Sequence, residues 1–135
     1  MLVAVLDTNA LLSGLLGGVP RQLLDALFAD RFRLAISRVL IEEFTDVLHR
    51  PQWRRLLHSP EYRALLALMR HDALIVTPTD IPTICRDIDD NELIACALAG
   101  RADVLVTGDK DLLVLGPSFH GLRIFQPAAF LRRLA

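Results

Sequence analysis

The sequence predicts an α/β fold: a parallel central sheet of about five strands flanked by helices, an α/β/α sandwich. Three observations predict it. Apolar runs too short for helices recur along the chain. Segments with apolar residues at helical spacing separate them. Several of these runs end at a polar or acidic residue, where a sheet of this kind presents its ligand-binding edge.

The elements follow in order. Residues 2–6 read as a buried strand, short, apolar and stopped by Asp7-Thr8-Asn9. Residues 9–16 are apolar and end at Gly17-Gly18-Val19-Pro20, a loop signal. Residues 21–30 place Leu23, Leu24, Leu27 and Phe28 at helical spacing. Phe32 to Ile36 is a second strand. Ser37 then caps a helix running to about Arg50, where Pro51 ends it. Residues 52–58 and 60–72 read as two more helices, the second opened by Ser59-Pro60. Leu74 to Val76 is a third strand, followed by a loop rich in Pro and Thr. Asp90 to Ala99 is a helix that Gly100 terminates. Val104 to Val106 is a fourth strand, Asp109 to Leu115 a short helix, Leu122 to Phe125 a fifth strand and Pro127 to Leu134 a last helix.

The bulk numbers bound the function. At 135 residues the chain reads as one domain, residues 1–135, without repeats or low-complexity segments. An apolar fraction of 53% and a charged fraction of 23% exclude disorder. The apolar runs are too interrupted to span a bilayer. The first run lacks a basic lead and a small-residue cleavage site, so a cytoplasmic location is expected. A net charge of −1 gives no general pull toward nucleic acid, so any such binding needs a local basic patch. Cys85 and Cys96 match no metal-ligand spacing, and Cys96 reads as a small core residue. His49, His58, His71 and His120 are scattered and read as surface residues.

The acidic positions carry the chemistry. Asp7 closes the first strand, and Asp109 follows the fourth across Thr107-Gly108. Ser37 follows the second strand, which puts Glu43 about two turns into the next helix. Asp87, Asp89, Asp90 and Asn91 open the helix after the third. Carboxylates gathered from several elements repel one another, and a hard divalent cation resolves the repulsion. Capping is the competing explanation, because Asp, Thr and Asn favour helix N-termini. It accounts for one or two acids at residues 87–92 and poorly for four.

Glu42 and Glu43 point about 100° apart on a helix, so only one faces the site. Position 43 borders the apolar stripe of Val39, Leu40, Phe44, Val47 and Leu48, and position 42 lies farther off. The expected metal ligands are therefore Asp7, Glu43, Asp90 and Asp109. Asn9, Ser37, Asn91, Thr107 and Asp111 support them. Arg38, Arg50, Arg54 and Arg55 are the basic cluster nearest Glu43 in sequence, either a phosphate track or a solvated helix face.

Taken together, Asp7-Thr8-Asn9, Ser37 with Glu43, Asp87 to Asn91 and Thr107-Gly108-Asp109-Lys110-Asp111 resemble the PIN-domain nucleases. The match runs in order from residue 3 to about residue 113, and is nearest to the small prokaryotic PIN toxins of toxin–antitoxin pairs. Many relatives carry Asp where this chain has Asn91, which leaves Asp90 or Asn91 as the residue facing the metal. The resemblance implies a metal-dependent endoribonuclease using Mg²⁺ or Mn²⁺. It also implies RNA, single-stranded by preference, as substrate and an antitoxin protein as partner, and leaves a homodimer open. Two other readings compete. A PIN-like protein-binding module with a weakened metal site rests on Asn91. A haloacid-dehalogenase-like phosphatase needs a second Asp where this chain has Asn9.

Overall fold

The computed structural model describes residues 1–135. Six strands form one sheet in the order β3-β2-β1-β4-β6-β5. They are β1 (Val3–Leu6), β2 (Arg33–Ser37), β3 (Leu74–Val76), β4 (Val104–Val106), β5 (Ser118–Phe119) and β6 (Leu122–Phe125). All neighbouring pairs are parallel except β5 and β6. Seven helices flank the sheet: α1 (Thr8–Leu16), α2 (Gly18–Phe28), α3 (Arg38–Leu48), α4 (Pro60–His71), α5 (Ile88–Ala99), α6 (Lys110–Leu113) and α7 (Pro127–Leu134). No helix is long and apolar enough to cross a membrane.

The expected parallel α/β sheet is present, with four differences in detail. The sheet is mixed, because β5 adds a sixth, antiparallel strand. It turns back onto β6 through His120-Gly121, both at positive φ (51° and 82°) as a two-residue hairpin requires. Two residues are too few to leave a periodic signal. Second, residues 8–16 are a helix, and Gly17-Gly18-Val19-Pro20 is a break of one residue rather than a loop. Gly17 at φ 129° stops α1, and α2 starts at Gly18 with Pro20 in its first turn. Third, residues 54–58 form a 3₁₀ turn, not an α-helix. Fourth, Val39 leaves the apolar stripe and is 48% exposed. The stripe runs through Leu40, Phe44 and Leu48, one turn apart, and Val39 lies about 100° away from Leu40.

Strands β2, β1 and β4 bury both faces, and 36 buried residues form one hydrophobic cluster with Cys96 inside it. Helix α5 lies across β1, β2 and β4, while α1 packs on α2 and α3. The α1–α2 approach is close because Gly14 faces Leu24. A Cβ on Gly14 would stand 2.7 Å from the Leu24 side chain and 3.1 Å from the Pro20 carbonyl oxygen. Arg21 fastens the same corner by donating to the carbonyls of Gly14 (2.7 Å) and Leu15 (2.9 Å). Leu24 is fully buried and has nowhere to swing. Gly14→Ala is therefore expected to destabilise by about 1–3 kcal/mol, although alanine normally favours a helix. Chemical denaturation measures it, and an unchanged or raised midpoint would contradict the packing account.

Candidate metal centre

Parallel strands with crossover helices bring the start of the helix that follows each strand to the carboxyl edge of the sheet. At this edge the register pairs Leu6 with Val106. The next residues, Asp7 and Thr107, are therefore neighbours. The Asp7 N–H continues the ladder by donating to the Val106 carbonyl at 3.1 Å.

Asp7 is 6% exposed and caps α1. Its Oδ1 accepts the Ala10 N–H at 2.6 Å, and its Oδ2 accepts from the Thr107 hydroxyl. Thr107 is fully buried, and its Oγ1 in turn accepts the Asp109 N–H at 3.0 Å. One hydroxyl thus ties the carboxylate after β1 to the loop after β4. Asp109 caps α6 through the Asp111 N–H at 2.9 Å. Ser37 ends β2 and caps α3 through the Leu40 N–H at 3.3 Å. That cap fixes the phase of α3, which leaves Glu43 half-buried toward the edge and Glu42 exposed.

Asp87 caps α5 by accepting the Asp89 N–H at 2.9 Å. Asp90, also on that first turn, is 6% exposed. Its Oδ2 is the one buried side-chain polar atom in the protein without a hydrogen-bond partner. Asn91 faces elsewhere. Its Oδ1 accepts the Cys85 N–H at 2.8 Å and its Nδ2 donates to the Cys85 carbonyl at 3.1 Å. The amide spends both ends on the preceding loop and does not line the acidic cleft. Of the two neighbours, the structure turns Asp90 toward the other acids.

These acids line a cleft of about 140 Å³: Asp7, Glu43, Asp87, Asp89, Asp90 and Asp109, with Thr8, Asn9 and Leu93. The carboxylate oxygens of Asp90, Asp109 and Asp111 lie within 4.8 Å of one another. A second cleft of about 310 Å³ adjoins it, sharing Asp7, Asn9 and Asp109 and adding Ser13, Pro20, Gly108 and Pro127. The largest concavity, about 520 Å³, lies around the opposite ends of β4 and β6 beside Arg101, His120, Arg123 and Arg133. It gathers no set of acids. Arg38, Arg50, Arg54 and Arg55 are exposed and line neither acidic cleft. The four histidines are exposed as well.

The electrostatics oppose ionisation. Burial raises the pKa of Asp7, against the hydrogen bonds from Thr107 and Ala10 that lower it. Burial likewise raises Glu43, helped by the charge of Asp89 and opposed by the Thr8 side chain. Asp90 is pushed up to about 6, first by burial and then by the charges of Asp109 and Asp87. An orphaned buried oxygen, crowded acids and an all-oxygen donor set fit a hard divalent cation such as Mg²⁺ or Mn²⁺.

The comparisons accord with this geometry. The family model for the PIN domain matches residues 3–111. The chain belongs to the PIN-domain family. PIN domains are generally nucleases. An uncharacterised protein of Methanocaldococcus jannaschii is 33% identical over 123 residues, spanning 89% of this chain and 79% of that protein. Among solved structures, PAE2754 from Pyrobaculum aerophilum aligns with a TM-score of 0.64 at 20% identity, covering 98% of this chain and 89% of that one. VapBC2 from Rickettsia felis, solved bound to a DNA fragment from its promoter, aligns with a TM-score of 0.56 at 16% identity, covering 91% of this chain and 97% of that one. At these identities the two structures speak for the PIN fold.

Three features of this PIN domain were hidden in the sequence. Asp87 and Asp89 line the cleft although neither stands among the four expected ligands. Asp111 sits in the tight group with Asp90 and Asp109, nearer than a supporting residue. The density of acids from 87 to 92 was the available signal for the first two.

The raised Asp90 pKa has a defined consequence. Its ordinary value is 3.8, so the metal-free folded protein keeps a proton up to about pH 6 that the unfolded chain releases earlier. Stability without metal therefore falls as pH rises from about 4 through about 6. Asp90→Asn removes that loss. In chelator at pH 7 it is expected to exceed the parent by on the order of 1 kcal/mol after solvent screening, the gap closing near pH 4. Urea denaturation across this range measures it. Asn91→Ala is expected to lose about 1–3 kcal/mol at every pH while keeping divalent-metal affinity, because it breaks only the bonds to Cys85.

Proposed function

We propose that this PIN domain, with residues 1–135 as one nuclease unit, is a metal-dependent endoribonuclease of the cytoplasm. We infer further that it is the toxin of a toxin–antitoxin pair, with an antitoxin protein as its partner. The observation that carries the nuclease reading is the buried Asp90 with an unpartnered oxygen, placed among Asp7, Glu43, Asp109 and Asp111. The toxin reading rests on the resemblance to small prokaryotic PIN toxins and is in keeping with the fold shared with VapBC2.

Asp7, Glu43, Asp90 and Asp109 would hold Mg²⁺ or Mn²⁺, with Asp111 at the rim. When bound, such an ion supplies a water activated near neutral pH and charge stabilisation on the phosphate. The chain's own residues do the rest. Asp7 is held by two donors, one on each oxygen, so its direction is set before any ligand arrives. Thr107 aligns Asp7 with the Asp109 loop in one step. Proton affinities here are coupled, so the base is the group of carboxylates rather than one of them. Asp7 and Asp109 stand between the two clefts, and an extended strand crossing from one to the other would pass directly over them. A single-stranded RNA segment suits such a path better than a helix does, because its phosphates and bases are accessible.

The competing readings lose support from particular residues. Asn91 was the reason to suspect a weakened site, and it is engaged with Cys85 while Asp90 takes the cleft. A dehalogenase-like phosphatase needs an acid at position 9, and Asn9 stands there.

The purified protein is expected to cleave RNA with Mg²⁺ or Mn²⁺ and to leave a small phosphomonoester intact. Asp7→Asn and Asp109→Asn are each expected to drop cleavage to the chelator background with the fold retained by circular dichroism. Full cleavage in excess chelator, contaminants excluded, would overturn the reading. Glu43→Gln is expected to lose on the order of 10–100-fold, and Glu42→Gln little. An equal loss at both positions would show that α3 presents the other glutamate.

A further inference from the structure

The acidic cleft has no cation of its own. Six carboxylates line it and no Lys or Arg does. Its proposed substrate is also an anion, and Coulomb repulsion in a partly dry cleft is severe. One or two divalent ions leave that excess only partly neutralised.

One guanidinium reaches the rim. Arg86 Nη2 stands 3.4 Å from Asp111 Oδ1 and 3.5 Å from Oδ2. The protein's one other ion pair, Arg21 with Glu61, joins α2 to α4. The Arg86 side chain is 90% exposed and both of its contacts are long, so Asp111 holds it weakly. Asp111 is at the same time one of the three carboxylates whose oxygens lie within 4.8 Å. Arg86 and a divalent cation therefore compete for one carboxylate. Arg86 also precedes Asp87, which lines the cleft, so its backbone is anchored beside the acids.

We propose that Arg86 is the phosphate-binding side chain of this site: it rests on Asp111 in the metal-free protein and passes to a substrate phosphate once Asp111 is drawn to the metal. The inference rests on the metal-dependent ribonuclease reading. A guanidinium suits the role because its planar fork meets two phosphate oxygens at once, and it stays charged at any working pH. Lys110 is the other cation beside these acids in sequence. It is exposed, makes no ion pair and opens α6.

The role makes two effects of opposite sign. Removing Arg86 frees Asp111, so metal binds better, while the substrate loses its counter-charge and binds worse. A merely structural Arg86 would weaken both or neither. Mn²⁺ alone is titrated calorimetrically into the full chain, as wild type, Arg86→Gln, Arg86→Lys and Lys110→Gln. Arg86→Gln is expected to bind Mn²⁺ roughly two- to five-fold more tightly. In the otherwise wild-type chain with Mn²⁺ present, Arg86→Gln is expected to weaken binding of a single-stranded RNA oligonucleotide, read by stopped-flow anisotropy before cleavage, by about 10-fold. Arg86→Lys should recover part of that loss, and Lys110→Gln should change neither quantity. Equal Mn²⁺ affinity in wild type and Arg86→Gln overturns the competition for Asp111. Undiminished RNA binding in Arg86→Gln overturns the phosphate role. No Mn²⁺ binding by the wild type overturns the ribonuclease reading beneath both.

Discussion

The parallel strands of this sheet send the chain into helices at one edge, and the acidic site follows from that constraint. Asp7 starts α1, Ser37 starts α3, Asp87 starts α5 and Asp109 starts α6. Each side chain accepts a backbone N–H from the helix it opens. The positive ends of these helices therefore gather where the carboxylates gather, and they offset part of the mutual repulsion before any ion is present. The β1–β4 register then sets how closely the acids approach. With Leu6 opposite Val106, one buried threonine hydroxyl spans the carboxylate of Asp7 and the amide of Asp109. A slip of one residue would turn Thr107 to the other face and leave Asp7 with a buried, unanswered oxygen.

The offset is incomplete, and Asp90 bears most of the remainder. It sits in the first turn of α5, where a helix favours an acid, yet its carboxyl is pushed up to about 6 and one oxygen has no partner. A local penalty that ligand binding relieves is a reservoir of binding free energy. An ion that satisfied Asp90 would stabilise the folded state by mass action.

What was legible in the sequence divides along the range of the interaction. Strand ends and caps are local, so Asp7, Ser37 with Glu43, and Asp109 could be placed on one edge from pattern alone. Glu43 could be told from Glu42 because helix phase is also local, although Val39 was wrongly included in the stripe that set it. The two-residue strand β5 left no period to read, and Gly17-Gly18 looked like a loop because a one-residue break and a helix start share the same residues. The Asp90–Asn91 choice was open for a different reason. Two neighbours on a first turn differ by a rotation of about 100°, and only the 77–87 loop decides which one turns inward. That loop takes both ends of the Asn91 amide through the Cys85 backbone. Nothing in the hydrophobic pattern encodes those two hydrogen bonds.

Capping and metal binding were weighed as rival explanations for these acids, and the geometry shows why they need not compete. A capping carboxylate uses one lone pair on the N–H of its helix, and a carboxylate has about four such sites. Asp109 caps with Oδ1, which leaves Oδ2 for another partner. Asp7 accepts one donor on each oxygen and still has lone pairs to spare. The cap fixes the direction of the carboxylate, which is what a small, strongly hydrated cation demands of its ligands. Residue types that favour helix starts are also hard oxygen donors, so a parallel α/β sheet tends toward metal sites at its carboxyl edge. The discriminating signal is then the acid that caps nothing. Asp90 is that residue: buried, beyond the cap position, and with an oxygen that no protein group satisfies. Helix capping explains Asp87 and Asp109, and it leaves the unpartnered oxygen of Asp90 unexplained.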